Sequence, residues 1–470
     1  MKKVFSILLI SLLLPAAVFA AGQQELPEGP VEIEFLAQWE VSPQEIALGN
    51  EVAEKTGTVL KYNVAPNNEQ RNLIATRMAA GNLPDLFFIE DVEPYKDGYE
   101  GGLFANLSAG ADRLGLANIK AEIKEVENVY GDFFAEDDGY YRLPARRMKA
   151  YGWYWLYRKD WADAAGLSYK PEMDDFIKFA EAMMAGNPGS VGFTAYGAWA
   201  PVSAFGSAFS GQMPVQWNPP CLTPVSGDWE CVETSDRYRE GLKVLNYMYK
   251  NEVMDPEIFS MDQVTAIQKF VQGKSAMLIG NSPHADSIAS SFYEANPNGE
   301  IAGAMYAPKG PYSSARGGST GYYKSWVVSA NAKEDYTLKF LNEFKSAESL
   351  AKATRSEGWD TAGGGHGDHT WAEWMGQIVP DWSKVHPTLA DGLSKADDEV
   401  AIQDPRLVEY ASEVFEQYKP EVASYIQDGV AKFITGADDI HSDADWEAYV
   451  AGADKAGLQK LIDDISAYYR

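Results

Sequence analysis

The stretch from residue 31 to residue 89 alternates between strand-like and helix-like patterns, and this alternation constrains the fold more than any other feature. Apolar runs predict strands at Val31–Ala37, Thr58–Val64 and Leu86–Ile89. The first intervening segment opens with a capping box, SPQE at 42–45, and both intervening segments end at a glycine. Strand, helix, strand, helix, strand at these lengths predicts a parallel sheet with right-handed crossovers.

Polar and aromatic side chains follow two of these predicted strands. Gln38 and Trp39 come directly after the first strand, and Glu90 and Asp91 come directly after the third. Ligands of parallel sheets bind beyond the carboxyl ends of the strands. We therefore expect these four residues at one rim of a binding cleft.

Residues 142–161, RLPARRMKAYGWYWLYRKDW, predict a passage from this unit to a second α/β unit. The YGWYWLY segment reads as a strand that continues into a helix opening near Asp160. Neighbouring side chains on a strand face opposite sides. The pattern therefore predicts that either Trp153 and Trp155 or Tyr154 and Leu156 are buried, and it leaves the choice open. A passage between two units would form the wall of a cleft.

The remaining pattern predicts an α/β protein with two lobes, a multi-crossing hinge and a helical C-terminal region. A helix over 333–345 is expected to rejoin the first lobe, and the sequence beyond residue 347 is mostly helical in pattern. The predicted lobes are an N-terminal lobe of residues 30–148 plus 284–345 and a C-terminal lobe of residues 149–283 plus 346–470. The absence of a Gly/Ser tether between them predicts a hinge.

The first twenty residues have the features of a secretory signal peptide: Lys2 and Lys3, an apolar run from Val4 to Phe19, and small residues around Ala20. The run is too short for a membrane span, and no cysteine follows it to carry a lipid. We expect an exported protein, periplasmic or associated with the cell surface, without a lipid-anchor cysteine.

The formal net charge of −28 makes nucleic acid an unlikely partner, since a field of this sign repels phosphate backbones. We expect a monomer that uses no cofactor and no metal.

The two cysteines, Cys221 and Cys231, flank a Ser-Gly-Asp turn signal at 226–228. The flanking segments can pair as a hairpin. In an exported chain, this arrangement predicts a disulfide between them.

Six segments, in order, resemble extracellular solute-binding proteins (family 1 type) of ABC importers. They are GNLPDLFFIE (81–90), GYYRLPARRMKAYGWYWLYRKDWADAAGL (139–167), YREGLKVLNYMYKNEVMDPE (238–257), FVQGKSAMLIG (270–280), WVVSANAKEDYTLKFLNEFKSAES (326–349) and the stretch from FITGADDI to DWEAYVAGADKAGL (433–458). Within that family the chain is similar to the large oligosaccharide-binding lipoprotein group, from which it departs by lacking the lipid-bearing cysteine. The resemblance implies two α/β lobes that close on a sugar and then dock on a membrane permease.

A sugar presents hydroxyl groups that need hydrogen-bond partners and apolar faces that suit flat aromatic rings. The predicted stacking residues are Trp39, Tyr151, Trp153, Trp199, Trp217, Tyr322, Tyr323 and Trp359. The predicted polar ligand-binding residues are Gln38, Glu90, Asp91, Asn281, His284, Arg355 and Asp360. The alternative for each ring is a place in the core, and for each polar side chain a solvated or helix-capping role.

Two other functions stay open at this point. One is a secreted polysaccharide-degrading enzyme, although the G-x-S-x-G match at 317–321 lacks the strand before it and the helix after it that a nucleophile elbow needs. We interpret that segment as a loop and assign no catalytic residue. The other is a binder of another solute, such as a peptide, a metal chelate or an anionic uronate-type sugar drawn to Arg142, Arg146, Arg147 and Lys149.

Overall fold

The computed structural model describes residues 29–37, 41, 43–65, 69–89, 92–146, 153–170, 172–195, 202, 205, 208–209, 220–225, 227–281, 285–305, 309–311, 319–320, 322–349, 401–402 and 412–469. The strands are β1 (Val31–Ala37), β2 (Thr58–Val64), β3 (Leu86–Ile89), β4 (Leu143–Arg146), β5 (Trp153–Arg158), β6 (Val191–Ala195), β7 (Leu222–Val225), β8 (Asp228–Cys231), β9 (Ser275–Asn281), β10 (Ile301–Met305), β11 (Ser319–Thr320), β12 (Tyr322–Val328) and β13 (Ala401–Ile402). The helices are α1 (Pro43–Thr56), α2 (Gln70–Ala79), α3 (Val92–Glu100), α4 (Leu107–Leu114), α5 (Ala117–Tyr130), α6 (Lys159–Ala164), α7 (Met173–Gly186), α8 (Asp236–Lys250), α9 (Gln263–Val271), α10 (Ala285–Ala295), α11 (Glu334–Phe344), α12 (Glu413–Thr435), α13 (Asp443–Ala456) and α14 (Leu458–Tyr468).

The first lobe is built on a five-stranded sheet in the order β2-β1-β3-β12-β4. The predicted parallel unit is confirmed, because β1 pairs in parallel with both β2 and β3. The antiparallel strand β12 separates β3 from β4. One face of the sheet, with Phe35 and Trp326, packs against α1, α4, α5 and α11, and the other, with Phe87, packs against α2 and α3.

The second lobe is built on a four-stranded sheet in the order β10-β5-β9-β6. Strand β5 lies in its interior, and Trp155 and Leu156 are both 0 % exposed. The prediction that only one of these two faces is buried was therefore wrong, because helices cover both faces of this sheet. Trp155 packs edge-on against Phe176 and Phe193, with ring centroids 4.8 and 5.5 Å away.

The passage predicted within 142–161 is present, since β4 belongs to the first sheet and β5 to the second. A second passage lies between β10 and β12, and a third lies between α11, which packs on the first lobe, and α12, which packs on the second. The second passage falls later than predicted. Residues 284–345 were assigned to the N-terminal lobe, but β10 pairs with β5 in the second sheet. The exact lobe boundaries stay a prediction.

One further difference concerns local structure. The segment at 317–321 was interpreted as a loop, but its residues 319 and 320 form the short strand β11, which pairs in parallel with β13. This pairing joins the second and third passages by hydrogen bonds.

The predicted hairpin is confirmed, but the disulfide within it is not formed. Strands β7 and β8 pair with Leu222 opposite Cys231, so Cys221 lies one residue out of register with Cys231. Both cysteines are thiols in the structure. The buried Cys231 thiol lies 3.2 Å from Glu233 Oε2, and burial, followed by the nearby Glu233 charge, raises the pKa of this thiol well above its usual range.

Three C-terminal helices complete the second lobe. Val430 and Phe433 of α12, Trp446 of α13 and Leu461 of α14 are buried in one cluster with Trp155. The asparagine Asn246 of α8 donates to the carbonyls of the last turn of α12, at 2.8 and 3.1 Å. Among the helices that the structure describes, none has the length and apolar character needed to cross a membrane.

Candidate functional site

Several strand ends lie together at one edge of the first sheet, the edge from which the chain passes to the second sheet. Parallel strands β1, β2 and β3 end there at Ala37, Val64 and Ile89. Strand β4 ends there at Arg146, and the antiparallel strand β12 begins there at Tyr322, which pairs with Arg146. In sheets of this kind, ligands bind beyond such an edge.

The second sheet has a corresponding edge. Strands β6 and β9 run in parallel and end at Ala195 and Asn281. Trp153, the first residue of β5, pairs with Asn281, and Met305, the last residue of β10, pairs with the residue after Trp153. Four strand ends therefore lie together at the edge where the chain enters this sheet.

These two edges are joined by a short covalent connection. Arg146 ends the first sheet and Trp153 begins the second, so seven Cα-to-Cα steps separate them. A fully extended chain advances at most about 3.3 to 3.6 Å per residue, so the two ends are within about 25 Å of each other. The connection therefore keeps the two edges with strand ends near each other. We call them the cleft edges, because a ligand that binds beyond both would lie between the two sheets.

The structure places four of the predicted site residues at these edges by their backbone positions. Trp153 and Asn281 pair with each other at the edge of the second sheet. Tyr322 and Tyr323 open β12 at the edge of the first. Their side chains lie outside the described part of the structure, so ligand contact by these four residues stays a prediction.

The other predicted ligand-binding residues lie outside the described residues altogether. They are Gln38, Trp39, Glu90, Asp91, Tyr151, Trp199, Trp217, His284, Arg355, Trp359 and Asp360. Of these, Gln38 and Glu90 directly follow the last residues of β1 and β3 in the sequence.

Arg142 was one of the four basic residues that would attract an anionic sugar, but its side chain is largely shielded from solvent. Its side chain is buried, 5 % exposed, and its guanidinium lies 4.0 Å from the ring centroid of Tyr95 and 5.1 Å from that of Phe134. The Tyr95 hydroxyl in turn donates to Glu136 at 2.7 Å. Arg142 therefore stabilises the first lobe just before β4. Arg146 ends β4 at the cleft edge, and Arg147 and Lys149 lie outside the described residues.

One buried polar side chain behind the cleft edge was not predicted. Gln70, the first residue of α2, is 3 % exposed, and its amide donates to the carbonyl of Phe88 at 3.5 Å. Its Oε1 atom is buried, and among the residues that the structure describes it has no hydrogen-bond partner. The sequence carries no signal for this role, because a glutamine at the start of a helix is usually solvated.

Within the described ranges, no group of three or more His, Cys, Asp or Glu side chains is arranged to hold a metal ion.

Two sheets covered by helices and joined by three passages of the chain form a two-lobed α/β fold that matches the structures of periplasmic binding proteins. The model of the bacterial extracellular solute-binding protein family matches residues 41–351, well over half of the chain. The chain belongs to this family, as its sequence predicted.

Several characterised proteins are similar to it. The polygalacturonan/rhamnogalacturonan-binding protein YtcQ of Bacillus subtilis is 21 % identical over 301 residues, which are 60 % of this chain and 56 % of YtcQ. The chain therefore matches little more than half the length of that relative. The alginate-binding protein AlgQ2 has a similar structure, with a TM-score of 0.65 at 16 % identity over 94 % of this chain and 99 % of that one. An HMO-binding, ABC-transporter-associated solute-binding protein from Bifidobacterium longum infantis gives a TM-score of 0.68 at 15 % identity, with the same coverage of both chains.

Proposed function

We propose that the protein binds an oligosaccharide in the cleft between its lobes and delivers it to the permease of an ABC importer. The observation that carries this proposal is the pair of sheet edges with gathered strand ends, joined by a six-residue connection at 147–152. Lobes that are joined by such passages rotate about them, and contacts from both lobes to one ligand shift the population toward a closed form. The named sugar-binding relatives support a carbohydrate as the ligand.

A thermal-shift screen against defined oligosaccharides tests this proposal. A ligand that binds only the folded state raises the melting temperature by mass action, by an amount that grows with ligand concentration. We expect at least one glycan to do so, and calorimetry with that glycan to give one site per chain. A panel that covers neutral and acidic glycans and produces no shift would count against carbohydrate binding.

An acidic sugar is the more specific candidate, because Arg146 ends β4 at the cleft edge and Arg147 and Lys149 follow it in a chain of net charge −28. Basic residues in this position favour a carboxylate ligand, since the rest of the protein repels one. The names of YtcQ and AlgQ2, which refer to polygalacturonan and alginate, point the same way.

The matched test uses an oligogalacturonide and the same oligosaccharide after its carboxyl groups have been reduced. We expect the acidic form to bind more tightly and to lose affinity between about 50 mM and 500 mM salt, because added ions screen charge–charge attraction. Equal affinity for the two forms would reject the acidic sugar and leave neutral oligosaccharide binding in place.

We further propose that the protein does not alter its ligand. The same glycans, incubated in large molar excess over the protein and analysed by chromatography, are expected to be recovered unchanged. Turnover beyond one equivalent would instead support the polysaccharide-degrading enzyme.

A further inference from the structure

A lysine of the first lobe contacts a tyrosine of the second lobe, outside the connections between the two sheets. The ammonium group of Lys96, in α3, donates to the hydroxyl of Tyr468, in the last turn of α14, and lies 4.5 Å from the centroid of its ring. The two residues are 372 positions apart in the sequence. This contact is therefore a non-covalent attachment between the lobes.

The lysine end of this contact is fixed to the first lobe. Tyr95, the neighbour of Lys96, is 1 % exposed and packs beneath the guanidinium of Arg142 at 4.0 Å. Its hydroxyl is held by Glu136 at 2.7 Å. Lys96 itself is exposed, so its position follows that of a firmly packed helix.

The tyrosine end is fixed to the second lobe in a similar way. Leu461 and Ile465 of α14 are buried in the core of that lobe. Tyr469, the neighbour of Tyr468, stacks on Trp229 of β8, with centroids 5.7 Å apart and an interplanar angle of 22°. Tyr468 therefore moves with the second lobe.

The contact between Lys96 and Tyr468 is sensitive to cleft opening because of its position. Helix α3 begins three residues after Ile89, the end of β3 at the cleft edge. Since Lys96 and Tyr468 each move with their own lobe, a rotation that opens the cleft changes the distance between them. A contact that spans only the side chains of a lysine and a tyrosine does not survive a separation of several ångströms.

We propose that Lys96 and Tyr468 form a strap that stabilises the lobe arrangement seen in this structure against arrangements with more widely separated lobes. The strap would so set the population of more open molecules in the absence of ligand. An exposed lysine over a tyrosine ring stabilises an arrangement enough to change a two-state ratio about two- to fivefold. Loss of the strap should therefore raise the ratio of open to closed molecules by about this factor.

Lys460→Ala provides a matched control. Lys460 makes the same kind of contact with Tyr418, at 2.6 Å from its hydroxyl and 4.2 Å from its ring centroid, but both residues belong to the second lobe. Removing it costs a contact of the same type without affecting any contact between the lobes. Lys96→Arg is the conservative variant, because an arginine also places a cation over the ring.

The experiment measures single-molecule energy transfer in the full chain without ligand. Dyes are attached to azidophenylalanine at Val59 of β2 and Val264 of α9, which are 49 % and 52 % exposed and lie in different lobes. We expect Lys96→Ala to increase the low-transfer, open population about two- to fivefold relative to the wild type. Lys460→Ala and Lys96→Arg should leave the distribution near that of the wild type.

Any of three results would overturn the strap. The first is an unchanged distribution in Lys96→Ala, and the second is an equal change in Lys460→Ala, which would assign the effect to general loosening. A shift of Lys96→Ala toward higher transfer would also reject it, because the contact would then favour the open form. The measurement needs no ligand, so its result is independent of the glycan screen.

Discussion

The ion pair of Asp255 and Lys269 lies next to β6 in the second lobe. Its removal allows a test of how much a buried ion pair contributes to the free energy of unfolding. Asp255 is 1 % exposed, and its two carboxylate oxygens accept from Lys269 Nζ at 3.1 and 2.9 Å. Its Oδ1 also accepts from the backbone N–H of Glu257 at 2.9 Å. The backbone N–H of Asp255 donates to the carbonyl of Phe193 at 3.0 Å, which ties the pair to β6.

We expect removal of the lysine charge to destabilise the protein more than removal of the aspartate charge. Lys269→Met leaves a buried carboxylate with one backbone donor, and breaking a buried pair in this way costs about 3 to 5 kcal/mol. We expect about 3 kcal/mol, the lower end, because the lysine end of the pair reaches water. Asp255→Asn leaves Lys269, 20 % exposed and still paired with Glu257, so we expect about 1 to 2 kcal/mol.

Urea denaturation of the wild type, both single variants and the double variant measures these losses and their coupling. The double variant should be more stable than Lys269→Met alone, because it contains no unpaired buried charge. Glu257→Gln is the control and should change the midpoint little, since its side chain is exposed. Equal losses for the two single variants, or simple additivity in the double variant, would refute the reasoning.

Three other substitutions test the described structure. Glu34→Gln should lower stability at pH 7, because the hydrogen bond from Arg77 lowers the pKa of Glu34 in the folded state. This contribution exists above the unfolded pKa and is lost as the pH falls through the folded pKa, so the urea midpoints of the two proteins should converge as the medium is acidified through that range. Gly192→Ala should destabilise by about 1 to 3 kcal/mol in the same assay, because the new methyl group would lie 2.6 Å from the carbonyl oxygen of Val253. Trp155→Ala should lower the free energy of unfolding by about 3 to 5 kcal/mol, because it removes a buried core side chain. The melting temperature and the near-ultraviolet circular dichroism of the protein should therefore change even without glycan.

The type and order of the elements could be predicted from the sequence, because those depend on local patterns. The hairpin at Cys221 and Cys231 marks the limit of such patterns. A turn signal indicates that two segments pair, but the register depends on the length of the turn, and here it places Leu222 opposite Cys231. If the register were shifted by one residue, the two thiols would lie opposite each other. In the observed register they do not.

Local patterns could not predict which strand pairs with which either. The segment IAGAM at 301–305 has no feature that distinguishes one sheet from the other, and its place beside β5 depends on an edge that only the folded chain provides. Trp155 was ambiguous because the WYWLY run at 153–157 is apolar or aromatic at every position. Such a continuous run is typical of a strand buried on both faces, whereas the prediction assumed the alternation of a strand buried on one face.

The candidate site was predictable where it depends on the direction of strands and not where it depends on side chains. Strand direction alone places Arg146 and Trp153 at the cleft edges of their sheets, and the covalent connection limits their separation. The pairing of β11 with β13 adds a constraint, because it joins the second and third passages and so couples their movement. Lobes held by three such passages have few directions in which to rotate. A single contact such as that between Lys96 and Tyr468, placed away from the passages, can then bias the rotation as a whole, which is why a change of one exposed side chain should be measurable as a change in cleft opening.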